Sequence, residues 1–160
     1  IKQILLKWES EKGEKSLSSD YVSSRNYLLE YWKTSPTVTF QKGVNFNWDF
    51  VYSYSEKRNK LGGDFASLST LGTTVKYVVA SKLNLSSSFN FVAIGYTGTN
   101  NSSLEYEMLE GLKNGNNFTW ELVLNKRVAK NLDLTLNYNG IKPENIKTIH
   151  SGTVQIRAFF

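Results

Sequence analysis

Cysteine is absent, and histidine and methionine occur once each among 160 residues. Without cysteine there is no thiol nucleophile, no thiolate metal site and no disulfide framework. The single histidine, His150, precedes Ser151. Adjacent strand residues point to opposite faces, so this pair does not form a nucleophile with its base, and no third orienting group is evident. Long apolar runs are also missing: nothing approaches the ~20 residues that a transmembrane helix needs. Mean hydropathy is −0.37, which reads as polar. Membrane-spanning strands, however, alternate lipid-facing and lumen-facing residues and average out the same way. Proline is scarce, at two residues, so long strands meet few interruptions.

Several binding classes fall away too. The charge of +5 comes from lysines spread along the chain, not from a cluster, so no nucleic-acid partner is expected. Leu61-Gly-Gly-Asp64 has no following Gly-Lys-Ser/Thr and is a loop signal, not a phosphate cradle. The spacing of Glu105, Glu107 and Glu110 fits no calcium loop. No cofactor and no metal are expected.

What is present is alternation. Val44, Phe46, Trp48, Phe50, Tyr52 and Tyr54 occupy one parity, against Asn45, Asn47, Asp49, Ser53 and Ser55. Period two over this length has no helical explanation. Leu132, Leu134, Leu136 and Tyr138 repeat the pattern, as do Phe118, Trp120, Leu122 and Leu124. Less regular strands are predicted over 71–80 and 82–96, around Ile4, Leu6 and Trp8, and over 25–40 with a bulge near Ser35-Pro36. With the terminal strand the count is about eight. Tight turns at 41–43, 80–82 and 129–131 alternate with polar segments at 10–24, 57–64, 97–115 and 139–147. Outer-membrane barrels have short periplasmic turns and long extracellular loops. A strand of about 13 residues, tilted by ~40°, rises roughly 33 Å, enough to cross.

The expectation is therefore an all-β, antiparallel up-and-down transmembrane barrel of about eight strands, forming one domain over residues 1–160. The apolar parity would face lipid, with Trp8, Trp32, Trp48, Trp120, Tyr52, Tyr54 and Tyr138 as interfacial girdle residues. The opposite parity carries Asp49, Lys76, Glu121, Asp133 and Arg157. Charges inside a filled barrel must pair, so a mixed-sign lumenal network is expected, with Arg157 near acidic neighbours.

The last strand places Gly152, Val154, Ile156, Ala158 and Phe160 on one parity. Ending on an aromatic, it resembles the signal that barrel-assembly machinery reads on outer-membrane proteins. The segment Tyr106-Glu-Met-Leu-Glu-Gly-Leu-Lys-Asn-Gly-Asn-Asn-Phe-Thr-Trp120, with Leu124-Asn-Lys-Arg127, Lys142-Pro143 and Arg157-Ala-Phe-Phe160, resembles the C-terminal end of large, poorly characterised Bacteroidetes-type surface proteins. That resemblance implies the membrane-embedded end of a longer polypeptide, or one subunit of an envelope complex. Beginning at Ile1 without Met or a signal peptide, the chain reads as a mature form or C-terminal fragment.

The function expected is a non-catalytic anchor or scaffold in the outer membrane of a Gram-negative bacterium. It would contact outer-membrane lipid, lipopolysaccharide, the assembly machinery and, through its loops, other envelope proteins. Two alternatives are part of a larger transport or protein-export barrel, and a soluble lipocalin-like barrel with its apolar parity inward.

Overall fold

A computed structural model describes residues 2–18, 26–80 and 82–159. Eight strands follow one another: β1 (Gln3–Leu17), β2 (Tyr27–Lys42), β3 (Phe46–Asn59), β4 (Phe65–Val79), β5 (Leu83–Thr97), β6 (Gly115–Ala129), β7 (Leu132–Pro143) and β8 (Ile149–Ala158). One short helix, α1 (Ser103–Met108), lies between β5 and β6. The strands form a single antiparallel sheet in sequence order, each paired with the next. The connections at 43–45, 80–82 and 130–131 define a short-turn rim; those at 60–64, 98–114 and 144–148 lie on the opposite, long-loop rim.

The sheet does not close. Among the described residues no ladder joins β1 to β8, and the expected barrel is instead an open eight-stranded sheet. Every residue of β8, and all of β1 except Gly13, is solvent-exposed. The long-loop half of β1 explains its bare edge: Glu9, Glu11, Lys12, Glu14 and Lys15 place charge on both faces, the composition that keeps an edge strand from pairing.

Strand extents differ from the sequence pattern in one consistent way. Residues 10–17, 57–59 and 139–143 read as loop, yet they lie inside β1, β3 and β7. These polar stretches have no apolar alternation of their own. Their ladders hold them: Ser10 pairs with Thr34, Arg58 with Phe65 and Asn139 with Ser151. The bulge expected near Ser35-Pro36 is absent, because the β2–β3 register runs unchanged from Thr34↔Tyr54 to Thr37↔Val51. Pro36, with no N–H to donate, interrupts that ladder without shifting it. The register shift falls between Arg127 and Ala129 instead.

Strand ends step steadily toward the short-turn rim. Phe46 pairs with Tyr77, and β4 runs on to Val79; Leu83 pairs with Lys126, and β6 runs on to Ala129. On the other rim Phe65 pairs with Thr97, whereas β6 starts opposite Ile94 and β8 starts opposite Ile141. The stagger averages a little over one residue per strand. With ~3.3 Å per residue and ~4.8 Å between strands, the strands tilt by roughly 40° to the rims. Barrel sheets, soluble and membrane-spanning alike, tilt by this amount.

Candidate functional site: an apolar outer face and a capped polar inner face

The two faces of the sheet are unlike. On β3, Trp48, Phe50 and Tyr52 are exposed, while Ser53 and Ser55 on the opposite parity are buried. The pairing carries this parity across the sheet, in rows such as Phe40–Trp48–Val75 and Phe89–Trp120. The outer face therefore holds an aromatic ladder, with ring centroids 4.7 Å apart for Trp48–Phe50, 5.2 Å for Phe91–Phe118 and 5.5 Å for Trp32–Tyr54. Two indole donors are satisfied locally: Trp48 Nε1 donates to Thr73 Oγ1 at 2.8 Å and Trp32 Nε1 to Glu56 at 3.0 Å. Trp120 lies across Gly140, where a Cβ would meet the indole at 2.0 Å. His150 stacks on Tyr138, whose hydroxyl is 2.8 Å from His150 Nδ1.

All seven expected girdle residues, Trp8, Trp32, Trp48, Trp120, Tyr52, Tyr54 and Tyr138, share the outer parity. Their heights follow from the tilt. Trp48 and Tyr138 belong to one hydrogen-bonded row, four strands apart. A ~40° tilt lifts Tyr138 about 12 Å nearer the long-loop rim. Phe40, Phe46, Trp48 and Tyr77 thus gather toward the short-turn side, and Trp32, Tyr54, Trp120 and Tyr138 toward the long-loop side. Between them lie aliphatic Val75, Leu122, Leu124, Leu136 and Ile156. From Phe46 to Phe118 the band is roughly 25 Å tall, the height of a barrel's lipid-facing zone.

The inner face is polar, with Thr39, Asp49, Thr74, Ser88, Glu121 and Asn139 following one another across six strands. Of the five charged residues expected there, Asp49 and Lys76 come together at 3.9 Å, and Asp49 also accepts from Thr39 at 2.6 Å. Asp133 sits opposite Arg157 in register, but its ion pair is with Arg127, at 3.4 Å. Glu121 faces Ser88 and Asn139, with no ion pair among the described residues. The charges form separate pairs, not one network. Within the expected assembly signal, Gly152, Val154 and Ile156 lie exposed on the outer parity and Ala158 ends β8; Phe160 lies outside the described residues.

The only buried apolar cluster among the described residues is on this polar face, near the long-loop rim. Leu29, Ala66, Leu68, Val92 and Ile94 meet Met108 and Leu109, both 0% exposed. The β5–β6 connection, read from the sequence as a polar segment, thus folds back over the inner face. Ser102 caps α1 by accepting from the Glu105 N–H at 2.9 Å, and the Glu105 carboxylate accepts from the Asn101 N–H. Ser102-Ser-Leu-Glu105 is a capping-box pattern that the sequence reading missed, although the carboxylate reaches the N–H one residue before the cap. Lys15 pairs with Glu107, and Lys57 with Glu110 at 2.7 Å. Asn117, fully buried, donates to the carbonyls of Lys113 and Gly115 at 2.7 and 3.2 Å.

Asp64 ties two connections together at that rim. It accepts from Asn59 Nδ2 at 2.9 Å, Thr99 N at 3.0 Å and the Tyr96 hydroxyl at 3.3 Å. Burial pushes its carboxyl upward, but these hydrogen bonds outweigh it and hold the group below the ordinary carboxylate range.

Among the described residues no helix is long and apolar enough to cross a membrane, which leaves crossing by strands open. No protein-family model, curated protein or solved structure matches the chain.

Proposed function

We propose that the chain forms all or part of the wall of an outer-membrane β-barrel in a Gram-negative bacterium and anchors or scaffolds a cell-envelope assembly, without catalysis. The supporting observation is the inversion of its faces: the aromatic and aliphatic parity is exposed or half-buried, while the opposite parity is mostly serine, threonine and asparagine, with one small apolar cluster under the capping segment. A soluble lipocalin-like barrel needs the opposite arrangement, and an exposed apolar band of this extent is foreign to monomeric soluble proteins. Lipid and lipopolysaccharide are the proposed partners of the outer face. The terminal strand remains a candidate for the assembly machinery, and the Bacteroidetes-type resemblance supplies a setting.

In lipid, unpaired strand edges are untenable. The open edges of β1 and β8 favour a second reading, in which these strands are a segment of a larger transport or export barrel. Refolding into phospholipid vesicles, followed by electrophoresis with and without boiling, tests both readings. A heat-dependent mobility shift of the isolated chain supports self-closure. Vesicle binding without a shift supports the larger barrel. Failure to enter vesicles, with solubility in plain buffer, refutes the membrane proposal.

A further inference from the structure

The net positive charge of the chain gathers at one rim. Lys2, Lys42, Lys82 and Lys130 sit at or beside the short turns. Lys126, Arg127 and Arg157 lie at the same ends of β6 and β8. Only one carboxylate, Asp133, accompanies these seven cations, and it is paired with Arg127. The slightly deeper Lys76 and Asp49 neutralise one another. The excess at this rim therefore exceeds the formal +5 of the whole chain, and the remainder of the molecule is close to balance.

Two features identify what such a rim fits. The cations run around the sheet from β1 to β8 instead of forming one patch, so they face a surface that surrounds the molecule. Lys42 and Lys126 also lie on the outer parity, in the same ladders as Phe46, Leu83 and Leu134. Apolar band and cations are therefore stacked as acyl chains and headgroups are stacked in a leaflet, with lysine stems able to lie along the apolar zone.

We propose that the short-turn rim is a phosphate-binding collar for the headgroups of an anionic phospholipid leaflet. This rests on the membrane reading above. It assigns the rim to the leaflet richer in anionic phospholipid and so orients the chain, with the capped long-loop rim on the other side.

The test compares refolding of the full chain into neutral phosphatidylcholine vesicles and into vesicles containing phosphatidylglycerol, at low and high salt. The collar predicts faster uptake with phosphatidylglycerol, by about tenfold at low salt, and loss of the difference at high salt. A Lys42→Gln, Lys82→Gln, Lys130→Gln variant loses most of that preference, yet still enters neutral vesicles as the unmodified chain does. A Lys12→Gln, Lys113→Gln, Lys147→Gln variant at the other rim keeps it. Equal loss in both variants, or an unchanged preference in the first, overturns the collar. Inorganic phosphate abolishing the preference at constant ionic strength also overturns it, because the rim is then a site for the free ion. Exclusion of the unmodified chain from both vesicle types overturns the membrane reading itself.

Discussion

Replacing Leu122 with arginine separates a lipid-facing band from a water-facing one. Leu122 is half-buried, between Ser87 and Tyr138 in its row. With a ~40° tilt it lies near the middle of the roughly 25 Å outer band, about 12 Å from either margin. Arginine on a lipid face costs about 2–4 kcal/mol at mid-depth and about 0–1 kcal/mol near the interface. Ser69, on the same face near the long-loop margin, provides the shallow comparison. Leu122→Ala reports the packing lost with the side chain and is subtracted. Denaturant unfolding from vesicles should then place Leu122→Arg at least about 2 kcal/mol below Leu122→Ala, with Ser69→Arg within about 1 kcal/mol of the parent. On a water-facing sheet both arginines would stay within about 0.5 kcal/mol. Equal costs at the two depths refute the band.

Three further perturbations address the cap and the outer-face packing. Met108→Ala with Leu109→Ala should loosen the β5–β6 connection, each costing about 2–5 kcal/mol if the site does not collapse; proteolysis would move to 98–114 while the strands stay protected. Because the folded Asp64 carboxyl is held below its ordinary value, its contribution is present above the unfolded pKa of ~4 and fades as pH falls through the lower folded value. Hydrogen exchange at 60–64 and 97–102 should therefore quicken only in strong acid, and Asp64→Asn should remove that step. Gly140→Val would displace the Trp120 indole at a cost of about 1–3 kcal/mol and shift tryptophan emission.

Strand order and facing were legible because one face of each strand repeats a single chemistry. Phe46 to Tyr54 and Leu132 to Tyr138 announce themselves by period two. The polar half of β1 was not legible, because Ser10 to Ser16 owe their strand conformation to ladder partners on β2. Closure was expected because a sheet in lipid must pair its edges, but it depends on two edges meeting, and alternation within a strand says nothing of that. The cap was readable in part: Ser102 and Glu105 have the spacing of a capping box, yet nothing local indicates that Met108 joins a cluster with Leu29, 79 residues earlier. The choice of partner within the charge pairs was not legible for a similar reason. Asp133 lies between Arg157 on one ladder and Arg127 on the other, and alternation cannot choose between neighbours.

Tryptophan fluorescence of the refolded chain in vesicles whose acyl chains carry bromine tests the lipid-facing surface most directly. Trp48 and Trp120 lie on the outer face near opposite margins of the band. Strong quenching is predicted, greater for bromines near the headgroups than for bromines at the bilayer centre. Unquenched emission at a water-like wavelength, from protein that is folded and vesicle-bound, would contradict the account.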